Sequence, residues 1–183
     1  MKYTTTTKLK EYIQEDISDI PDATLDSYIE AASRYIEKQT NRVFIADSQF
    51  QTRKYDGTGD RTLVVDDFIE LDKVVQGEEE MENILTYPAN HTPKTWLIAE
   101  KNSFRSGNQN IEINAKWGYS QEAPADIEFV ATVLSAGMVN ASKNKSKVES
   151  ESIGQYRISY RNDSQLADFK RVKDILWSYR RHL

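Results

Sequence analysis

Ile111-Glu112-Ile113-Asn114-Ala115-Lys116-Trp117-Gly118-Tyr119 alternates apolar and polar residues one by one as far as Trp117. That is the period of a strand with one buried face. A few residues on, Pro124-Ala125-Asp126-Ile127 starts a different rhythm. Ile127, Val130, Ala131, Leu134 and Met138 recur at steps of three and four, which is the period of a helix. Pro124 suits the first turn, because its missing N–H would have no partner there. Phe129, Val133, Ala136 and Val139 add apolar surface on the other sides, so this helix is expected to be contacted from more than one direction. The chain therefore changes from a β-rich block to a helical one at this point.

On the N-terminal side, β-rich runs occur at 43–45, 50–55, 62–65, 68–75 and 96–98. Asp56-Gly57-Thr58-Gly59-Asp60 reads as a hairpin loop between two of them. Ser106-Gly107-Asn108-Gln109-Asn110 reads as a turn, and Tyr87-Pro88-Ala89-Asn90-His91-Thr92-Pro93 as an irregular loop. Before residue 42 the pattern is helical again. Thr7 is read as the N-cap of a short helix carrying Leu9, Tyr12 and Ile13. Pro21-Asp22 opens a longer helix with Leu25, Tyr28, Ile29, Ala32, Tyr35 and Ile36 on one face, and Asn41 stands where it stops.

On the C-terminal side, residues 140–152 form a polar loop and Ile153-Gly154-Gln155-Tyr156-Arg157-Ile158-Ser159-Tyr160 a short extended segment. A last helix starts at Asp163 or Ser164, with Leu166, Phe169, Val172, Ile175, Leu176 and Tyr179 on one broad face. The fold class is α+β: a helical bundle from both chain ends, 1–41 and 120–183, with a central antiparallel β-rich insertion over 42–119.

Composition narrows the function. Apolar residues make up 38% and charged residues 29% of 183, as in a soluble globular domain. The absence of cysteine excludes disulfides, thiolate metal sites and cysteine nucleophiles, and suits a reducing cytoplasm. No signal peptide is read at the N-terminus, and no apolar stretch is long enough to cross a bilayer. A net charge of −5 argues against a general nucleic-acid binder. The charge is uneven. Residues 66–82 hold eight acids against Lys73, and residues 157–183 hold seven bases against Asp163, Asp168 and Asp174. Either both are solvated surfaces, or unlike faces meet between neighbouring copies.

No catalytic or metal-binding constellation emerges. His91 and His182 are far apart and read as surface residues. Asp66 and Asp67 have the chemistry for acid–base work or a divalent cation, but no calcium-loop spacing surrounds them, so a solvated strand-edge turn is expected. The glycines at 57 and 59 lack the Lys-Ser/Thr of a phosphate loop. Catalytic, cofactor and metal sites are therefore each read as none. Ten Tyr and three Trp suit protein interfaces as well as cores. Trp177, on the flank of the last helix, fits either role. Tyr156, Ile158 and Tyr160 alternate as a strand would, either paired within the chain or added to a neighbour's sheet edge.

The layout resembles the tailed-phage head–tail connector family, also called adaptor or head-completion proteins. Leu25, Ile29, Ala32, Ser33 and Ile36, then Thr40-Asn41-Arg42-Val43-Phe44, resemble its first long helix and exit, where Gly often stands in place of Asn41. Tyr55-Asp56-Gly57 with Gly59 and Arg61 resembles its first hairpin. Ala115-Lys116-Trp117-Gly118-Tyr119 followed by Pro124-Ala125-Asp126-Ile127 resembles its strand-to-helix junction. Glu151-Ser152-Ile153-Gly154-Gln155-Tyr156, then Tyr160, resembles the entry to its last helix. The motifs are short and structural, and 77–110 carries little of the likeness.

The resemblance implies a structural protein of the virion neck with no cofactor, assembled in the host cytoplasm as a homo-oligomeric ring of twelve under the portal protein. The ring extends the DNA channel, lets DNA pass without specific binding, receives the next neck or tail component and involves no membrane. The portal interface is expected at Trp177, Tyr179, Arg180, Arg181 and Leu183, because Trp, Tyr and Arg dominate interface energies. The subunit interface is expected at Phe129, Val133, Tyr156, Ile158 and Tyr160. Two alternatives stay open: a single-stranded nucleic-acid-binding protein using the β-block aromatics and C-terminal bases, and a small hydrolase using carboxylates near Asp66 and Asp67.

Overall fold

The computed structural model describes residues 1–143, 150–153, 156–159 and 163–181. The chain divides into two compact units, Met1–Arg42 with Pro124–Leu183, and Val43–Ala123.

The first unit is helical. Helix α1 spans Thr6–Ile13 and is capped by Thr5, whose hydroxyl accepts from Lys8 N–H. The cap lies two residues before the one read from sequence. Helix α2 spans Asp22–Thr40 and ends at Asn41, which takes the left-handed conformation and donates its N–H to Glu37 O at 2.8 Å. Its buried residues Leu25, Ile29, Ala32, Tyr35 and Ile36 match the expected face. Helix α3, Ala125–Lys143, is buried almost all round. Helices α1 and α2, a fourth helix α4 (Asp163–Tyr179) and strand β8 (Tyr156–Ser159) all pack on it. This accounts for its apolar residues on several sides: a helix apolar all round belongs inside. It also runs to Lys143, into the segment read as a loop. Strand β7, Ser150–Ile153, pairs antiparallel with β8, Ile153 opposite Tyr156.

The second unit is a six-stranded antiparallel sheet. Its strands are β1 Gln51–Gly57, β2 Thr62–Gln76, β3 Glu79–Glu80, β4 Ile84–Tyr87, β5 Lys94–Ala99 and β6 Gly107–Trp117, and the order is β1-β6-β2-β5-β4 with β3 on β2. The expected hairpin between the first two strands does not form, because β6 lies between them. The reason is burial. Ile111, Ile113, Ala115 and Trp117 are all enclosed, as suits a central strand. Gln51, Thr52 and Lys54 are exposed and suit an edge. Residues 43–45 form only a single bridge, Ile45 with Ser120. The two runs at 62–65 and 68–75 are one long strand that changes partner midway: Thr62 to Val64 pair with β5, and Phe68 to Gln76 with β6. No helix belongs to this unit. Its core is Leu63, Val65, Phe68, Leu97, Phe104, Ile111, Ile113 and Trp117.

Gly118 ends β6 with φ of +140°, and an added Cβ would meet Ala46 Cα at 2.4 Å. Its N–H donates to Asp67 O at 2.7 Å. Only glycine permits this exit from the sheet.

Candidate functional site

Asp66 and Asp67 do not lie in a solvated turn. They sit inside β2 where it changes partner. Asp66 accepts from Arg53 Nη1 and from the Tyr55 hydroxyl, both at 2.8 Å. Arg53 in turn lies over the Trp117 ring, 4.7 Å from its centroid. Burial, with the Asp66 carboxylate beside it, pushes the Tyr55 phenol well above its ordinary value. Asp67 is 5% exposed. The surroundings hold these carboxylates as structural groups. Among the described residues no cluster of His, Cys, Asp and Glu fits a metal ion, and no helix is long and apolar enough to cross a membrane. His91 is exposed between β4 and β5, and His182 lies outside the described residues.

The end of α4 has more to offer. Val172 and Leu176 face inward, whereas Trp177 is 67% exposed. The alternative of Trp177 as a core residue therefore does not hold. Arg180 is exposed and its guanidinium stands 5.7 Å from the centroid of the Trp177 ring. Tyr179 is half-buried and donates its hydroxyl to Asp126 Oδ1 at 3.0 Å. Its carbonyl accepts from Arg42 Nε at 2.7 Å, and Arg181 N–H donates to Thr40 O at 2.9 Å. The last turn of α4 is thus tied to the C-terminal end of α2 and the first turn of α3. Leu183 lies outside the described residues.

Thr40, Arg42 and Asp126 enter the sequence reading only as members of the family-like motifs, with no contact assigned to them. A signal existed for two of them. A cation just past one helix C-terminus and an acid in the first turn of another are where helix dipoles favour them.

Of the five residues expected between subunits, Phe129 and Val133 lie on α3, and Tyr156 and Ile158 on β8, which packs against α3. Val133 is 7% exposed and belongs to the packing of the helical unit. Phe129 is half-buried, with the Arg171 guanidinium 5.0 Å from its ring centroid. Tyr156 and Ile158 lie in β8, opposite Ile153 and Glu151, so this strand pairs within the chain. Their side chains, and Tyr160 entirely, lie outside the described residues. An apolar row that sequence reasoning missed crosses the outer face of the sheet: Val64, Trp96 and Tyr87 are exposed and directly opposite one another on β2, β5 and β4. Alternation gave no warning, because β4 and β5 were too short to show a period.

A family model described as head completion protein matches residues 2–182. No curated protein matches the chain. Among solved structures, a chain from the "Neck of empty GTA particle computed with C6 symmetry" superposes with a TM-score of 0.55 at 15% identity, covering 97% of this chain and 90% of that one. At that identity the likeness speaks for the fold.

Proposed function

This chain belongs to the head completion protein family, structural components of the virion neck that join head to tail, and on that premise we propose that it works as a closed ring docked under the portal. The observation that carries this is the family match, which runs across both units and leaves only the first and last residues outside. A ring built by rotation repeats one heterologous contact, and that contact closes on itself. The similar neck chain comes from a particle computed with six-fold symmetry, of which a ring of twelve is a multiple. Phe129 and Val133 of α3, with Tyr156, Ile158 and Tyr160, supply the contact between neighbours.

The end of α4 anchors the ring to the portal through Trp177, Tyr179, Arg180, Arg181 and Leu183. Trp177 offers a large exposed aromatic surface, and Arg180 a planar cation that pairs bidentately with carboxylates. The ring extends the channel, receives the next neck component and performs no chemistry. A net charge of −5 suits a conduit through which DNA slides.

Deletion of residues 177–183 tests the anchor, with folding followed by circular dichroism. A folded truncation that no longer binds portal is the expected result. A folded truncation that binds as well as the full chain refutes it, and one that unfolds shows that the segment serves the helical unit instead. Microscopy of the protein with portal tests the ring. A monomer or a two-fold dimer on the portal would sink it.

A further inference from the structure

Half of the large apolar side chains left exposed among the described residues share one place in the fold, the end of the sheet formed by β2, β5 and β4. Val64, Trp96 and Tyr87 make one cross-strand row, and Thr62, Ile98 and Leu85 the next. Residues two apart share a face of a strand, so the two rows form one patch. The intervening Leu63, Leu97 and Ala99 belong to the core on the other face. Val64, Leu85, Tyr87 and Trp96 are each between 42% and 56% exposed. At roughly 150–250 Å² for a whole large side chain, they leave on the order of 400 Å² open, the size at which an apolar patch marks a binding surface. Strand β4 is also an edge. Its outer side pairs with no strand among the described residues, and Ile84-Leu85-Thr86-Tyr87 contains neither a charge nor a proline to turn a further strand away. The patch itself holds no charged side chain. Charge starts beyond it, at Asp60 and Glu100 past one end and at Asp66 and Lys94 past the other. Asp66 is taken by Arg53 and Tyr55, and Lys94 by the carbonyls of Pro88 and Ala89.

We propose that this patch and the free edge of β4 receive an extended, uncharged apolar segment of the next neck component. The segment adds to the sheet beside β4, its alternate side chains against Leu85 and Tyr87, and the rest of the component covers Trp96 and Val64. The inference rests on the neck reading above. That reading draws the portal contact and the neighbour contact from the helical unit, and this patch belongs to the other unit. Charge chooses the chemistry of the occupant. A charged segment would lose its hydration on a surface with no opposite charge to offset the loss. A second copy fits less well. Two β4 edges would pair about a two-fold axis, which a ring built by rotation does not use between neighbours. The sheet's other edge, β1, exposes Thr52, Lys54 and Asp56, so a neighbour offers no apolar row there. An area of about 400 Å² is also only half of what each partner gives to a stable interface of standard size, so apolar contact alone would not hold two copies. An added strand brings backbone hydrogen bonds as well. A single-stranded nucleic acid would find two aromatic faces but no cation in the patch.

The test supplies the full chain to host cells infected by a virus that lacks its gene. Head particles are purified and their proteins quantified by mass spectrometry. With Leu85→Lys or Trp96→Glu, heads are expected to carry this chain at the wild-type ratio to portal, while the protein that follows it in the neck falls about tenfold or more. Leu85 and Trp96 are exposed, so circular dichroism of the purified variants is expected to match wild type. Should a charged variant disturb folding, Tyr87→Ser and Trp96→Ala give the same reading. Variant heads that keep both the chain and the following protein overturn the inference. Variant heads that lose the chain itself also overturn it, because the patch then serves the ring or the portal. Heads that carry no copy of the wild-type chain would remove the neck reading as well, so the two failures are told apart. Two measurements on the chain alone cover the other occupants. A self-associated form that Leu85→Lys breaks into monomers in sedimentation would make a second copy the occupant. An oligothymidylate bound by wild type and released by Trp96→Ala would make the patch a nucleic-acid face. Either result overturns the inference.

Discussion

Single residues explain much of the chain's local behaviour, and Gly118 is the clearest case. Its φ of +140° and the approach of Ala46 backbone leave no room for a side chain. Gly118→Ala is expected to cost on the order of 1–3 kcal/mol or more, read as a lower urea midpoint at unchanged slope. A midpoint within error of wild type would show that the β6 exit relaxes freely. Tyr55 gives a pH-dependent prediction. Its phenol is raised above the ordinary range, chiefly by burial. The unfolded chain releases this proton near pH 10, while the native state still holds it. Native protein then binds more protons than unfolded protein, so stability falls as pH climbs above about 10. Tyr55→Phe is expected to flatten that decline in a denaturation series across alkaline pH, while losing the bond to Asp66 at every pH. A slope unchanged in the variant would assign the decline to other tyrosines, with Tyr12 first among them: burial and its hydrogen bond to Asp168 raise it as well.

At the level of elements, α4 depends on its neighbours. A helix of 17 residues is marginal alone in water and takes its stability from the face it packs. Its inward residues Val172 and Leu176 supply that face, and the bonds from Arg42 and to Thr40 and Asp126 hold its end. Arg42→Ala removes a charge-assisted bond to the Tyr179 carbonyl, worth roughly 1.5–3 kcal/mol. The expected result is faster amide exchange at residues 177–181 and weaker portal binding, with α3 amides unaffected. Unchanged exchange at the end of α4 would show that the Tyr179–Asp126 and Arg181–Thr40 bonds are enough. Strand β6 illustrates the same dependence. Its alternation announced one buried face but did not say how many partners it has. Both sides are occupied, because enclosing Ile111, Ile113 and Trp117 requires strands on either side.

For the whole molecule, charge separates the neck reading from the nucleic-acid reading. With a net charge of −5 the chain lacks the surplus of Lys and Arg that phosphate neutralisation needs. Duplex and single-stranded DNA are therefore expected to migrate freely in a mobility-shift experiment at physiological salt. Retention with a steep salt dependence would return the single-stranded binder to the front. The carboxylate hydrolase has lost its motive on different grounds: Asp66 is bound to Arg53 and Tyr55, and Asp67 is enclosed.

The amino-acid sequence by itself determined the α+β class, the two helical ends and the β-rich middle, because periods of 3.6 and 2 are local properties of a chain. It determined the left-handed stop at Asn41 for the same reason: a residue's own backbone preferences decide a cap. The short motifs along the chain also pointed to the right family. Strand order, the place of β6 between β1 and β2, and the union of two runs into β2 came only with the tertiary structure. Pairing joins residues distant in sequence, and alternation is blind to which strand lies alongside. The exposure of Trp177 was decided in the same way. A residue on the flank of an apolar stripe is core or surface according to how far the neighbouring helices reach, and here the packing of α4 on α2 and α3 encloses Val172 and Leu176 and leaves Trp177 exposed.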